Sequence, residues 1–455
     1  MKIAESNNSS TLSKPRWTSL IERLRSRIFC AEFRTRHRRR DTDFVRQRLF
    51  TFPVVTLLLL QKTTRSIQRH LHTFLGQHLP GEHATPGAWT QVRAKFSHSA
   101  LIELNQEVLL SEFYSRQSKT RRRNWRGHRM LGLDGSTLRL PNHRKLAQSF
   151  GTTTVTNQLG DTGTTYVPAR LSVVYDLLNN LGLDGRLGPL STGEVEMAME
   201  QLIHVQAGDV LLWDRGFTGF PLMARVIKHG AHFVGRCSTG SFAQAQALFG
   251  ANQEGVSWLI KLSAPYDQRP GLREAGLPQQ MTVRFVSVRL PDGKLEVLVT
   301  SLLDQKKYPT GEFMKVYHWR WGHETYYKTL KDNLDLENWS GLTPESIYQD
   351  LQSSVLLRNL ESLLTQEAQE VLSAGDHLRQ HAAQINRKVS CHTLKEHILN
   401  LLWDSQQPVA KVLAKMQVWL TSNPTSVRPG RNPPRRPQSL NRSYQFQRNV
   451  RKSIF

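Results

Sequence analysis

Cysteine is scarce in this chain. Cys30, Cys237 and Cys391 are the three among 455 residues, and they lie far apart. No Cys-x-x-Cys or Cys/His cluster supplies tetrahedral ligands, which argues against a zinc finger and against a disulfide framework. Long apolar runs are missing as well. The longest, Phe52 to Leu60, contains Pro53 and falls well short of the roughly 20 apolar residues that span a bilayer, so no membrane partner is expected. The N-terminus is polar and then basic, without the apolar stretch of a secretory signal, and the expectation is a cytoplasmic, nucleoid-associated protein. Acidic residues are short at both ends: residues 1–130 hold 25 Lys/Arg against 9 Asp/Glu, and residues 424–455 hold 8 against none. Those two excesses account for the whole net charge of +24, so the middle of the chain is close to neutral. Basic ends of this kind displace counterions from a phosphate backbone, although a solubilising excess gives the same charge.

With 38% hydrophobic and 22% charged residues the composition is globular, and the length allows two or three domains at roughly 100 to 200 residues each. Residues 1–42 read as a basic, poorly structured arm that ends in R-T-R-H-R-R-R, where Arg38, Arg39 and Arg40 are candidate DNA contacts. Residues 43–125 have helical spacing, with Ile67, Leu71 and Leu75 on one face and Thr85-Pro86 as an N-cap followed by proline. A helical DNA-binding domain fits this pattern, and so does a plain helical bundle.

From Arg129 the period changes. Three strands, a helix, the strand D-V-L-L-W-D, a second helix and the strand A-H-F-V-G-R-C follow in order, which is the order of an α/β mixed sheet with helices on its faces. Residues 126–239 form the first part of this core and 240–303 a β-rich insertion. Residues 304–345 hold the core's final helix, expected as one long helix from about Gly311 to Leu334. A helical C-terminal region spans 346–422, and a basic tail rich in Pro and Arg, 423–455, is expected to be disordered.

Two aspartates occupy chemically suggestive places. Asp134 follows an apolar strand and precedes Gly135, and Asp214 ends a second buried strand in W-D-R-G-F. Taken alone, either fits an ordinary turn or strand-end cap. The third element is more specific: Tyr317, Arg320, Glu324 and Lys331 stand at offsets of minus seven, minus four, zero and plus seven from the glutamate. At about 100° per residue they share one narrow helical stripe. An exposed Arg320–Glu324 pair would by itself be an ordinary surface arrangement.

The spacing Y-x2-R-x3-E-x6-K resembles the signature of bacterial insertion-sequence transposases of the DDE class, the hairpin-forming cut-and-paste group (insertion-sequence family four). The L-D-G-S-T block at Asp134, the D-R-G-F block at Asp214 and the L-V-T-S segment resemble that group's other motifs, in the correct order. The resemblance covers roughly residues 130–370. It implies an RNase H-like core in which Asp134, Asp214 and Glu324 are catalytic and bind two Mg2+ ions, with Mn2+ able to substitute. It further implies Tyr317, Arg320 and Lys331 as phosphate and end-DNA contacts. The partners it implies are double-stranded DNA with terminal inverted repeats, target DNA, and a second copy of the chain at synapsis. Such an enzyme would cut a transposon end and transfer the strand, through a hairpin. One departure stands out: Glu296 matches the position at which a well-known member stacks a tryptophan on a flipped base, and Trp258 is the substitute in this chain. A non-transposing RNase H-like nuclease and a domesticated, transposase-derived DNA-binding protein are the alternatives. A paired-carboxylate glycosidase suits the basic ends less well.

Overall fold

The computed structural model describes residues 15–46, 48–61, 66–115, 122–156, 162–290, 292–403 and 407–428. Its centre follows from the apolar runs. Val210 to Trp213 are fully buried, as expected of a strand covered on both faces. Strands β1 (Met130–Leu140), β2 (Thr153–Thr156), β3 (Thr162–Asp176), β4 (Leu181–Gly188), β5 (Val210–Trp213), β6 (His232–Arg236), β7 (Ser257–Ser263), β8 (Gln280–Arg289) and β9 (Leu295–Thr300) form one sheet. Their order is β2-β3-β1-β5-β6-β9-β8-β7, with β4 paired to β3. The β1–β5 and β5–β6 pairs are parallel and the flanking pairs antiparallel, so the expected mixed α/β sheet is present.

Helices cover opposite faces. His323 lies over Gly132, where an added Cβ would come within 2.7 Å of its Nδ1. Ser172, opposite Gly135 on β3, donates instead to Gln201 Oε1 at 2.6 Å. Positions 132 and 135 differ in parity, so the helices Trp321–Lys328 and Glu194–Gln201 pack on different sides.

Three expectations need correction. Residues 1–42 are not a loose arm where they are described: Thr18–Ile28 and Ala31–His37 are helices that bury Leu20, Ile21, Leu24, Ile28 and Phe33. The arginine run is held because Glu103, distant in sequence, accepts from Arg27 and Arg36 and bonds His37 Nε2 at 2.7 Å. The segment 240–303 is not a separate β unit, since β9 pairs with β6 and β8 and β7 extend the same sheet; it also carries the helices Ala243–Ala251 and Arg269–Glu274. The final helix is not continuous. It runs as Phe313–His318, turns at Trp319 and Arg320, resumes as Trp321–Lys328 and widens into a π-turn at Thr329–Asn333. The tail expected at 423–455 lies outside the described residues from 429 onward.

The helix Pro344–Ala374 ties the parts together. Thr343 and Ser346 cap its start reciprocally, and buried residues run along most of its length. Near its first turns Arg93, from the N-terminal helices, donates to Asp350 Oδ1 at 2.7 Å and to Gln349 Oε1 at 2.6 Å.

Candidate active site

The parallel ladder pairs Leu133 with Trp213, so the next residues, Asp134 and Asp214, stand level on adjacent strands with backbones about 4.8 Å apart. Each carboxylate is fixed by the amide that follows it: Gly135 N donates to Asp134 Oδ1 at 2.9 Å, and Arg215 N to Asp214 Oδ1 at 2.7 Å. Beneath them Trp213 packs against Gly235, where a Cβ would sit 2.3 Å from the indole nitrogen. Burial pushes the Asp134 carboxyl up to about 6, against the pull of Arg320, and the charges of Glu324 and Glu194 add to the rise.

Glu324 arrives from the helix above. Tyr327 Oη donates to the Asp134 carbonyl at 2.6 Å, and Lys331 Nζ donates to Ser136 Oγ at 2.7 Å and to the Thr137 carbonyl at 2.9 Å. The imidazole of His323, fully buried and held near 3 by desolvation, stacks on Tyr327 at 4.8 Å. These contacts lay the helix along β1. Arg320 is only 4% exposed; its Nη2 lies 3.4 Å from Glu324 Oε1, and it also feels the charges of Asp214 and Asp134. Its guanidinium rests on the rings of Tyr317 and Trp321, at 5.6 and 5.2 Å. Among the described residues, Arg320 Nε and the Tyr317 hydroxyl are buried without a hydrogen-bond partner. Burial raises the Tyr317 phenol above its ordinary range.

The structure therefore brings Tyr317, Arg320 and Glu324 to Asp134, inside β1, and to Asp214, just past the end of β5. It does not gather the three carboxylates into one cluster of metal-ligating side chains among the described residues. The cationic Arg320 stands among them. Lys331 is turned onto β1, and Trp258 is not brought to the carboxylates: β7 is the sheet's edge, four strands from β5, or roughly 19 Å at the usual strand spacing. Arg39 and Arg40 are exposed and Arg38 pairs with Asp41 at 3.1 Å, all on the N-terminal helical part.

Sequence reasoning passed over several neighbours. Arg236, at the end of β6, places Nη1 3.5 Å from Asp214 Oδ1 and donates from Nε to Glu296 Oε2 at 2.5 Å. Trp321 is 48% exposed beside Arg320. Glu194 lies over Gly135, whose Cβ would meet its carboxyl at 2.8 Å, and pairs with Arg170 at 3.2 Å. Trp321 was visible inside the helical motif, whereas the pairing of Arg236 with Glu296 depends on strand order.

Comparison with known proteins agrees with this geometry. The family described as the transposase DDE domain matches residues 125–360, which include Asp134, Asp214 and Glu324. The chain is 24% identical over 330 residues to the transposase InsG for insertion sequence element IS4 of Escherichia coli (strain K12), covering 71% of this chain and 70% of that protein. Strand order, acidic residues and matched span lead to one assignment: the chain belongs to the DDE transposase family.

Proposed function

We propose that this transposase binds transposon ends and cuts and rejoins DNA strands at Asp134, Asp214 and Glu324, in a cut-and-paste route with a hairpin at the transposon end. The observation that supports it best is the buried guanidinium of Arg320 among three carboxylates, with its Nε and the Tyr317 hydroxyl unsatisfied. Buried polar groups are normally paired. Groups left unpaired beside three carboxylates and a guanidinium suit a site that receives an anion such as a phosphodiester.

The donor set fits divalent cations. All three side chains offer hard oxygen ligands, which magnesium prefers. Desolvation raises the Asp134 carboxyl to about 6, with Glu324 and Glu194 adding to the rise, and a bound cation would favour its ionised form. Two Mg2+ ions, with Mn2+ able to substitute, would activate the nucleophile and stabilise the leaving oxygen when bound by Asp134, Asp214 and Glu324. The amides of Gly135 and Arg215 keep the two aspartates in place before substrate arrives. Arg320, Tyr317 and Lys331 hold phosphate and end DNA in line for attack. The exposed indole of Trp321 offers a face to a base unstacked at the hairpin, a role for which Trp258 is more remote. Arg38, Arg39 and Arg40 add phosphate contacts from the N-terminal helices. The partners are duplex DNA with terminal inverted repeats and target DNA, and a dimer at synapsis holds the two ends that join in one event.

The test is a gel assay on a labelled transposon end with magnesium, scoring binding, nicked strand, hairpin and joined product. Glu324→Gln, Asp134→Asn and Asp214→Asn should lose cleavage and keep end binding. Arg320→Ala and Lys331→Ala should retain some first-strand nicking and stall later. Wild-type nicking by Glu324→Gln would remove that residue from the site. Nicking without joining by the unaltered chain would favour a non-transposing nuclease.

A further inference from the structure

Glu296 is the odd member of this region. It is a carboxylate only 4% exposed on β9, and burying a charge is costly unless it is paired. Its partner is Arg236, across the β6–β9 seam, where Cys237 N donates to the Val297 carbonyl at 2.8 Å and holds the two strands in register. The Arg236 backbone is fixed in turn. Its carbonyl accepts from Thr218 Oγ1 at 2.6 Å, and Thr218 Oγ1 accepts from Trp213 Nε1 at 3.1 Å, next to Asp214. Only the far end of the guanidinium is left to be aimed. Nε is committed to Glu296, Nη1 lies 3.5 Å from Asp214 Oδ1, and the side chain is 31% exposed. Among the described residues neither Nη group makes a hydrogen bond to protein.

We propose that Glu296 is a positioning residue for strand cleavage: through Arg236 Nε it turns the guanidinium so that its Nη edge meets a phosphate oxygen of the strand being cut beside Asp214. An arginine has five N–H donors in a rigid fork. A partner on Nε therefore fixes the plane in which the two Nη groups lie, leaving them for Asp214 and for the substrate. A tyrosine hydroxyl without a partner, Tyr317, shares this surrounding: it feels the charges of Asp214, Arg236 and Glu296 together. The inference rests on the assignment of Asp214 and Glu324 to the reacting site.

The experiment uses the full chain and a labelled duplex of the inverted repeat flanking its reading frame. Binding is measured against salt in EDTA, and single-turnover nicking in magnesium. Arg236→Ala should lower the slope of log K against log salt by about 0.9, one phosphate contact. Glu296→Gln leaves the arginine charged, so the slope should stay, while the nicking rate falls by about 10²-fold, as expected when a positioned group is released. In the double variant the Glu296→Gln loss should disappear, leaving the rate of Arg236→Ala. Where Arg236→Ala alone melts early because it strands a buried carboxylate, Arg236→Lys takes its place in the cycle and must show the same non-additivity. Wild-type nicking by Glu296→Gln, or losses that multiply in the double variant, would overturn the inference. Glu324→Gln is run alongside: if it nicks normally, the site assignment itself fails, a result distinct from either of these.

Discussion

Asp134 should destabilise the protein it serves, and the amount can be worked out. Burial raises its carboxyl to about 6 in the folded chain, while an unfolded aspartate titrates near 3.9. The folded state therefore holds a proton that the unfolded state has released between those values. The stability this group contributes is full below the unfolded value and is lost as pH rises through about 6. A difference of about 2 units corresponds to about 3 kcal/mol. An asparagine side chain in its place would have no proton to lose. The stability of Asp134→Asn relative to the parent should thus rise by about 2.4 kcal/mol between pH 4, where the unfolded aspartate is already about half ionised, and pH 8, with most of the change between 4.5 and 6.5. Urea midpoints of both proteins in EDTA, taken across that range, measure it directly. The variant should become the more stable protein at pH 8 while losing strand cleavage, a trade of stability against function. Parallel pH profiles for the two proteins would refute the reasoning, because they would mean that the Asp134 carboxyl is no harder to ionise folded than unfolded.

Two further outcomes are expected. Gly132→Ala places a methyl 2.7 Å from Nδ1 of the fully buried His323 and should cost about 1–3 kcal/mol by overpacking; an unchanged denaturation midpoint would show that the helix is not seated there. Neutralising Arg39 and Arg40, both exposed, should flatten the salt dependence of end binding by about 0.9 for each phosphate no longer neutralised, and an unaltered slope would take them out of the interface.

The sheet was legible because its central strands are rich in apolar residues and bounded by turn residues. Met130–Leu140, Val210–Trp213 and His232–Arg236 fall where period and burial place them. The register that sets Asp134 beside Asp214 was not legible, because a parallel pairing between strands separated by β2, β3, β4 and two α-helices leaves no local mark. The same holds for Arg236 and Glu296, which meet only because β9 returns to pair with β6. The N-terminal helices were hidden for a different reason. Arg34 to Arg40 read as self-repelling, yet the apolar set Leu20, Ile21, Leu24 and Ile28 lies just before it at helical spacing, and the acid that relieves the repulsion, Glu103, stands 67 residues beyond Arg36. The break in the final helix was not legible either: Trp319 and Arg320 keep helical dihedrals, and the turn there is a local tightening to i→i−3 bonds, such as Arg320 N to the Tyr317 carbonyl, with no proline or glycine at either position to mark it.

The helix Pro344–Ala374 has a mechanical consequence. Its 31 residues make a rod about 46 Å long at 1.5 Å per residue. At one end Arg93 is bonded to Asp350, and along its length Asn359 Oδ1 accepts from the amide of Gly182 on β4 at 2.7 Å. The N-terminal helices and the central sheet thus share one shaft. On the function proposed above, DNA held by the N-terminal helices would stay at a fixed offset from Asp134 and Asp214, set by protein rather than by a flexible linker. The two attachments, at Asp350 and Asn359, lie about 14 Å apart along the rod, so the N-terminal helices and the sheet that carries Asp134 and Asp214 are kept at one spacing.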